Sequence, residues 1–271
     1  MSYVSINPGP ELEPFIKCYW TLDLPPEEYP EKQTIVPDGC MEMIFHYGDH
    51  YFQYLDNKRK IQQPKCFVFG QITNTLEIEP SGITGIFSVR FHPNGFLPFT
   101  TIPLEEMHNR AVPLDEIFGK EALMLEKEIL ESKDTFKRIE TIEKFLLEKL
   151  QTPDLSYRIA KDCVEILIQS SGQLRVDELS EQLQLNRRNL ERKFSNAIGL
   201  SPKQLSKIIR LQTTLKMMDS QNFTNLTDLA YQNGYFDQAH FIKDFREFTG
   251  LSPKQFYASN LRMTTLFLST E

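Results

Sequence analysis

Residues 187–193 read Arg-Arg-Asn-Leu-Glu-Arg-Lys, four cations around one leucine. Planar guanidinium groups recognise guanine edges and phosphate oxygens through paired hydrogen bonds, while an ammonium group meets phosphate as a point charge. On a helix, Arg188 and Arg192 share a face four residues apart, and Arg187 and Lys193 lie beside them. Arg187, Arg188, Arg192 and Lys193 are therefore candidates for contact with a polyanion. Gln238, His240, Lys243 and Arg246 form a second group of the same kind, an amide suited to adenine followed by groups suited to guanine or phosphate. For any one of these side chains the competing reading is a solvated surface charge. A third group lies upstream: Asp38, Cys40, Glu42, His46, His50, Arg90 and His92 could serve acid–base or metal chemistry. Glu42 and His46 alternate onto one strand face, but no close His/His/Glu ligand run accompanies them, and Cys40 has no surrounding pattern that marks a nucleophile. No metal, no cofactor and no enzymatic role is expected.

The elements that must carry the two cationic groups are repeated. Gly199-Leu200-Ser201-Pro202-Lys203-Gln204 recurs letter for letter as Gly250-Leu251-Ser252-Pro253-Lys254-Gln255, inside a wider match of residues 189–205 to 240–256. Two copies of one supersecondary unit are the reading. In each copy the spacing predicts a short helix, a turn and a second helix, the parts of a helix-turn-helix. The first unit has helices over 176–183 and 187–197 with Asn186 as N-cap; the second has helices over 226–233 and 238–249 with Gly234 in the turn and Asp237 as N-cap. Leu190 and Phe194 in the first, and Phe241 and Phe245 in the second, turn inward and leave the polar groups outside. Residues 202–219 form a connecting helix of about 17 residues, roughly 26 Å long. Successive major grooves on one face of a duplex are about 34 Å apart, so such a rod suits adjacent grooves.

Charge is distributed to match. The 271 residues carry a net −7, but residues 1–155 hold −10 and residues 156–271 hold +3, as expected when only the second half meets phosphate. A hydrophobic content of 40% supports sizeable cores, no apolar stretch approaches the roughly 20 residues that cross a bilayer, and the first residues lack a secretory pattern. A cytoplasmic protein without a membrane partner is expected. Cysteines 18, 40, 66 and 163 contain no CxxC pair and read as reduced, buried thiols.

From 1 to about 112, short apolar segments alternate with Pro, Gly and Asn. Strands are predicted at 41–47, 66–70, 76–78 and 83–91, with Met41, Met43, Phe45 and Tyr47 on one face. Helices are predicted over 119–131 and 134–150, Asp134 capping the second, and these could pack a partner copy. The fold class is α+β in two domains: 1–150, a β-barrel or sandwich followed by helices, and 155–262, all α with two helix-turn-helix units.

Residues 228–241, Asp-Leu-Ala-Tyr-Gln-Asn-Gly-Tyr-Phe-Asp-Gln-Ala-His-Phe, followed by Phe245-Arg246, Phe248, Gly250 and Ser252-Pro253, are similar to the signature of the AraC/XylS family of bacterial transcription regulators. The resemblance implies a seven-helix domain joined by a long central helix, with family reading positions carried onto Arg188, Arg192, Gln238 and Lys243. Asn186 stands where the family often has Ser, and caps equally well. Glu191 sits between the arginines and bears on which bases they read. Residues 36–45, 69–71 and 89–95 resemble the front domain of a subgroup of AraC-like regulators, which implies a cupin-like barrel that binds a small effector and mediates dimerisation. The implied partners are double-stranded DNA, a small-molecule effector, a second copy of the chain and, for an activator, RNA polymerase. Two alternatives remain at this point: a front domain that only dimerises, and an enzyme fused to a DNA-binding module.

Overall fold

A computed structural model describes residues 2–26, 31–55, 59–152, 154–220 and 223–258. Its front half contains strands β1 (Ser2–Ile6), β2 (Ile16–Leu24), β3 (Gln33–Ile35), β4 (Glu42–His46), β5 (Tyr51–Tyr54), β6 (Lys60–Gln62), β7 (Cys66–Phe69), β8 (Leu76–Pro80), β9 (Thr84–Phe91) and β10 (Ala111–Pro113). All pairings are antiparallel, in a six-stranded sheet of order β1-β2-β9-β4-β7-β10 and a four-stranded sheet of order β3-β8-β5-β6. The sandwich alternative of the sequence reading describes these two sheets.

The larger sheet is covered on both faces, which explains why all eight residues of β9 are buried. Met41, Met43, Phe45, Phe87, Val89 and Phe91 point to one side, where α1 (Leu114–Phe118), α2 (Lys120–Glu131) and α3 (Thr135–Lys149) pack with Leu125, Ile129, Ile142 and Leu146. Trp20, Leu22, Phe67, Phe69 and Ile86 point to the other side, against Tyr51, Leu76 and Ile78 of the smaller sheet. The alternation of residues 41–47 thus separates two interiors, not core from solvent. The helix predicted over 119–131 is α2; before it the sequence reading passed over α1, which stops at Gly119, where φ is 63° and ψ −146°. Asp134 caps α3 by accepting from the Phe136 amide.

The second half holds seven helices among the described residues: α4 (Leu155–Gln169), α5 (Val176–Gln182), α6 (Arg187–Ile198), α7 (Pro202–Asp219), α8 (Leu226–Gln232), α9 (Gln238–Thr249) and α10 (Pro253–Ala258). Residues 259–262, included in the expected second domain, lie outside the described residues. Ser201 and Gln204 form a capping box at the start of α7, and Pro202 occupies its first turn, where the missing amide costs nothing. Leu190 and Phe194 of α6 and Phe241 and Phe245 of α9 enter one continuous core with Leu205, Ile208, Leu211 and Leu215 of α7.

The two halves are packed together through short segments. Val36 belongs to the core of the helical half, and Tyr157 of α4 belongs to that of the front half, its ring 5.9 Å from Phe15. Gln212 of α7 donates to the Pro37 carbonyl at 2.6 Å. A Cβ on Gly39 (φ 80°) would stand 2.9 Å from Leu205 Cδ1, so glycine is required there by conformation and by space. The identical repeats differ here. Gly199, the left-handed C-cap of α6, lies under the Leu104 carbonyl and is buried, whereas its counterpart Gly250 is exposed, with nothing over it among the described residues.

Because both units feed one core, Phe194→Ala and Phe245→Ala should each cost about 3–5 kcal/mol and shift a single helical transition in denaturant unfolding of the full chain. Separate transitions for the two units would show that the heads are independent.

Candidate nucleic-acid interface and interior cavity

The first unit turns from α5 to α6 through Gln184, which takes a left-handed φ of 53°, and Asn186, whose side chain accepts from the Asn189 amide at 2.9 Å. That cap starts α6 with Leu190 and Phe194 buried and Arg187, Arg188 and Arg192 exposed; Lys193 is half-buried. Arg187 is held by two carboxylates, its Nη1 2.9 Å from Asp177 of α5 and its Nε 3.0 Å from Glu191. It therefore splints the unit more than it presents a free cation. Arg192 donates to Asn189 Oδ1 at 3.0 Å, which steers the guanidinium along the helix. Glu191 turns to Arg187 and away from the place between Arg188 and Arg192 that the sequence reading gave it.

In the second unit Asn225 caps α8, and Asp237 caps α9 by accepting from the His240 amide at 2.7 Å. Gly234 takes φ 70° in the turn, as the sequence reading required. His240, Lys243 and Arg246 are exposed along α9, and Gln238 is half-buried, its Oε1 accepting from the Thr227 hydroxyl. Phe236, just before α9, is 85% exposed, and Tyr231 is exposed nearby. An apolar ring left in water beside a row of polar groups was not picked out from the sequence, where Phe236 is one residue of the turn before α9.

Charged groups then lock the units to the rod. Lys207 of α7 meets Asp244 and Glu247 of α9, each at 3.1 Å. Arg210 donates to the Gly172 carbonyl at 2.8 Å and lies over the Tyr235 ring, 5.0 Å from its centroid. Gln173, between α4 and α5, donates to the Gln232 carbonyl and so ties the first unit to the second. None of these partnerships was visible in the sequence, since each joins residues at least 25 positions apart.

Residues 179–259 match a family described as a helix-turn-helix domain, and residues 4–113 match a domain of unknown function (DUF6597). Residues 179–259 thus form a helix-turn-helix domain. Over 118 residues the chain is 30% identical to an HTH-type transcriptional regulator of Haemophilus influenzae, covering 44% of this chain and 38% of that protein. It is 27% identical over 99 residues to an HTH-type transcriptional regulator of Staphylococcus aureus, covering 36% of this chain and 13% of that one. The chain thus spans well under half the length of these relatives. Among solved structures, ToxT from Vibrio cholerae is similar at a TM-score of 0.49 and 11% identity, covering 89% of this chain and 98% of that one. The C-terminal domain of AraT, a response regulator from Geobacillus stearothermophilus, is similar at 0.36 and 22% identity, covering 38% and 86%. No helix of the described residues is long and apolar enough to cross a membrane.

In front of the helix-turn-helix domain, a cavity of about 50 Å³ opens between the two sheets. Asp38, Cys40, Glu42 and His46 line it, with Trp20 and Phe69 among the apolar walls; His50 and His92 are not in its lining. Glu42 and Arg90 are direct cross-strand neighbours on β4 and β9. Arg90 donates from Nη1 to Glu42 at 2.9 Å and from Nη2 to Asp38 at 2.5 Å. Burial pushes the Glu42 carboxyl up to about 7, with Arg90 opposing and Asp38 adding to the rise. Burial likewise holds His46 down at about 4, so its imidazole is neutral. Cys18, Cys40, Cys66 and Cys163 are buried and in no disulfide. No group of three or more His, Cys, Asp or Glu among the described residues is placed to hold a metal.

Glu42 faces Asp38, Cys40, Cys18, Arg90 and, along its strand, His46. Its raised pKa means that the folded chain binds this proton more tightly than the unfolded chain, whose Glu titrates near 4.5. The resulting stability is complete below that value and lost as pH rises through about 7. His46 slopes the other way, because the unfolded chain is the first to protonate as pH falls below 6.5. The difference between wild type and Glu42→Gln isolates the carboxyl: wild-type melting temperature relative to the variant should fall between about pH 5 and about pH 8. A difference flat across that range would show an ordinary carboxylate.

Proposed function

We propose that this chain is a sequence-specific DNA-binding transcription regulator that sets α6 and α9 into successive major grooves on one face of a duplex. The observation that carries this reading is the common core: both helices are anchored to α7 by their own Leu and Phe side chains, leaving their cationic and amide groups outside. Helix α7 has 18 residues, about 27 Å of rod at 1.5 Å per residue, compatible with a groove repeat of about 34 Å once the bodies of the units are added.

The roles divide by what each side chain already holds. Arg188 and Arg192 read base edges or phosphates from α6, and Lys193 meets a flanking phosphate. Gln238 sits at the N-terminal end of α9, where base contacts are commonest, with His240, Lys243 and Arg246 along the same helix. Arg187, committed to Asp177 and Glu191, sets the unit's shape more than it contacts DNA. The front domain acts as a sensor whose small-molecule ligand tunes DNA affinity. Leu123, Met124 and Phe136, exposed on and beside α2 and α3, suit a homodimer contact. RNA polymerase is a partner if the regulator activates, and the cytoplasm is its place of action.

With an operator selected from random duplex DNA by the full chain, Arg188→Ala should weaken binding by about 1–3 kcal/mol and relax the preference at one position. Lys243→Ala should weaken all sequences alike and reduce the salt dependence, and Arg187→Ala should cost less than Arg188→Ala. Fluorescence anisotropy across a salt series measures all three. Wild-type affinity in both Arg188→Ala and Lys243→Ala would remove the assigned reading faces.

A further inference from the structure

Resting on the regulator reading above, we infer that the cavity between the sheets takes a compact ligand with a protonated amine on an apolar body, held by Asp38 and Glu42, and that residues 36–40 carry its occupancy to α7.

The charge of the site selects the ligand. Two carboxylates share one guanidinium. Arg90 is only 1% exposed, whereas the Asp38 and Glu42 side chains retain 14% and 15%. Both carboxylates line the cavity and Arg90 does not, so what a ligand meets is negative charge. An anion would face like charges in a site of low dielectric; a cation would neutralise the second carboxylate and recover its desolvation cost. Burial raises the Glu42 carboxyl more than Arg90 lowers it, and the neighbouring Asp38 adds to the rise.

His46 is the independent sign that something polar belongs there. It is 2% exposed and lines the cavity; the Gln63 side chain beside it can serve only one of its two buried ring nitrogens, and no partner among the described residues meets the other. Buried polar groups are rarely left without a partner, and a neutral imidazole can accept from an ammonium or hydroxyl group. Between these polar ends the walls are apolar, with Trp20, Ile44, Phe69, Ile78 and Ile86 facing inward. Trp20 adds a ring face suited to a cation. A cavity of about 50 Å³ limits the ligand in this form to a few heavy atoms.

The path outward runs through the backbone that carries Asp38. On one side of it the Pro37 carbonyl accepts from Gln212; on the other, Gly39 lies against Leu205 and Ile208. Residues 205, 208 and 212 form one face of α7, the helix that spaces both heads. The Gly39 carbonyl also accepts from the buried Gln71 at 2.9 Å, so the loop is gripped from within the front domain as well. A cation that draws on Asp38 changes the pull of Arg90 on this loop and thereby the seat of α7.

The test uses the full chain with n-butylamine, 1-butanol and butyrate at equal millimolar concentration, near pH 8. Melting temperature reports binding and anisotropy on the selected operator reports coupling. Butylamine should raise the melting temperature while the alcohol and the acid do not, because a ligand of the native state stabilises it. In Glu42→Gln the amine response should weaken about tenfold in apparent affinity, while the ligand-free protein melts at or above wild type, which shows that it folds. Gln212→Ala should keep the amine-induced melting shift but lose the effect of the amine on operator affinity. Stabilisation by butanol or butyrate equal to that by butylamine, a full amine response in Glu42→Gln, or no amine response at all would overturn the ligand class. An unaltered effect on operator affinity in Gln212→Ala would overturn the route. Absence of operator binding with and without amine would instead overturn the regulator reading, and the melting data would still decide the ligand class.

Discussion

Helix α7 has apolar and charged groups on several sides, and no one neighbour satisfies them all. Leu205, Ile208, Leu211 and Leu215 need a core, and that core is supplied jointly by α4, α6 and α9. Lys207 reaches α9, Arg210 reaches the loop after α4, and Gln212 reaches the front domain. The rod is thus stiff because its surroundings are shared. Removing either unit would expose apolar surface of the other, so the spacing of the two heads is a property of packing, not of a linker.

The front domain has the corresponding constraint in its larger sheet. β4 and β9 are buried on both faces, one against α1 to α3 and one against the smaller sheet. Polar residues on the second face cannot escape to solvent, so Glu42 and Arg90 must satisfy each other across the strand pair, with Asp38 completing the set. The same cluster fixes residues 36–40, whose other side is the contact with α7. A buried ion network of this kind is weak support for stability, since burial of the charges costs about as much as their pairing returns. Its value here is positional: it ties the interior of one domain to the surface of the other.

An internal repeat placed in two surroundings behaves as two different objects. The first Gly-Leu-Ser-Pro-Lys-Gln segment lies beneath Leu104, and the second is open at Gly250. Both keep the left-handed glycine and the capping box, because those are local requirements of ending one helix and starting the next. What differs is burial, and burial is decided by which unit the front domain reaches.

The amino-acid sequence determined, by itself, what depends on neighbours within a few positions. Asn186, Asp237 and Asp134 announce their helix starts, Gly234 its turn, and the 3.6-residue spacing of Leu190 with Phe194 and of Phe241 with Phe245 separates the buried side from the exposed one. The strands at 66, 76 and 84 were legible because they are β-branched and aromatic, whereas β1, β3, β5, β6 and β10 are short, and the sequence reading passed over them together with the longer β2. Only the tertiary structure decided that Glu42, Asp38 and Arg90 meet, that Arg187 is occupied by Asp177, that Phe236 stands in water, and that residues 36–40 rest on α7. Each of these joins distant parts of the chain or turns on what covers a side chain, and pattern within one segment carries no information about which other segment will lie across it.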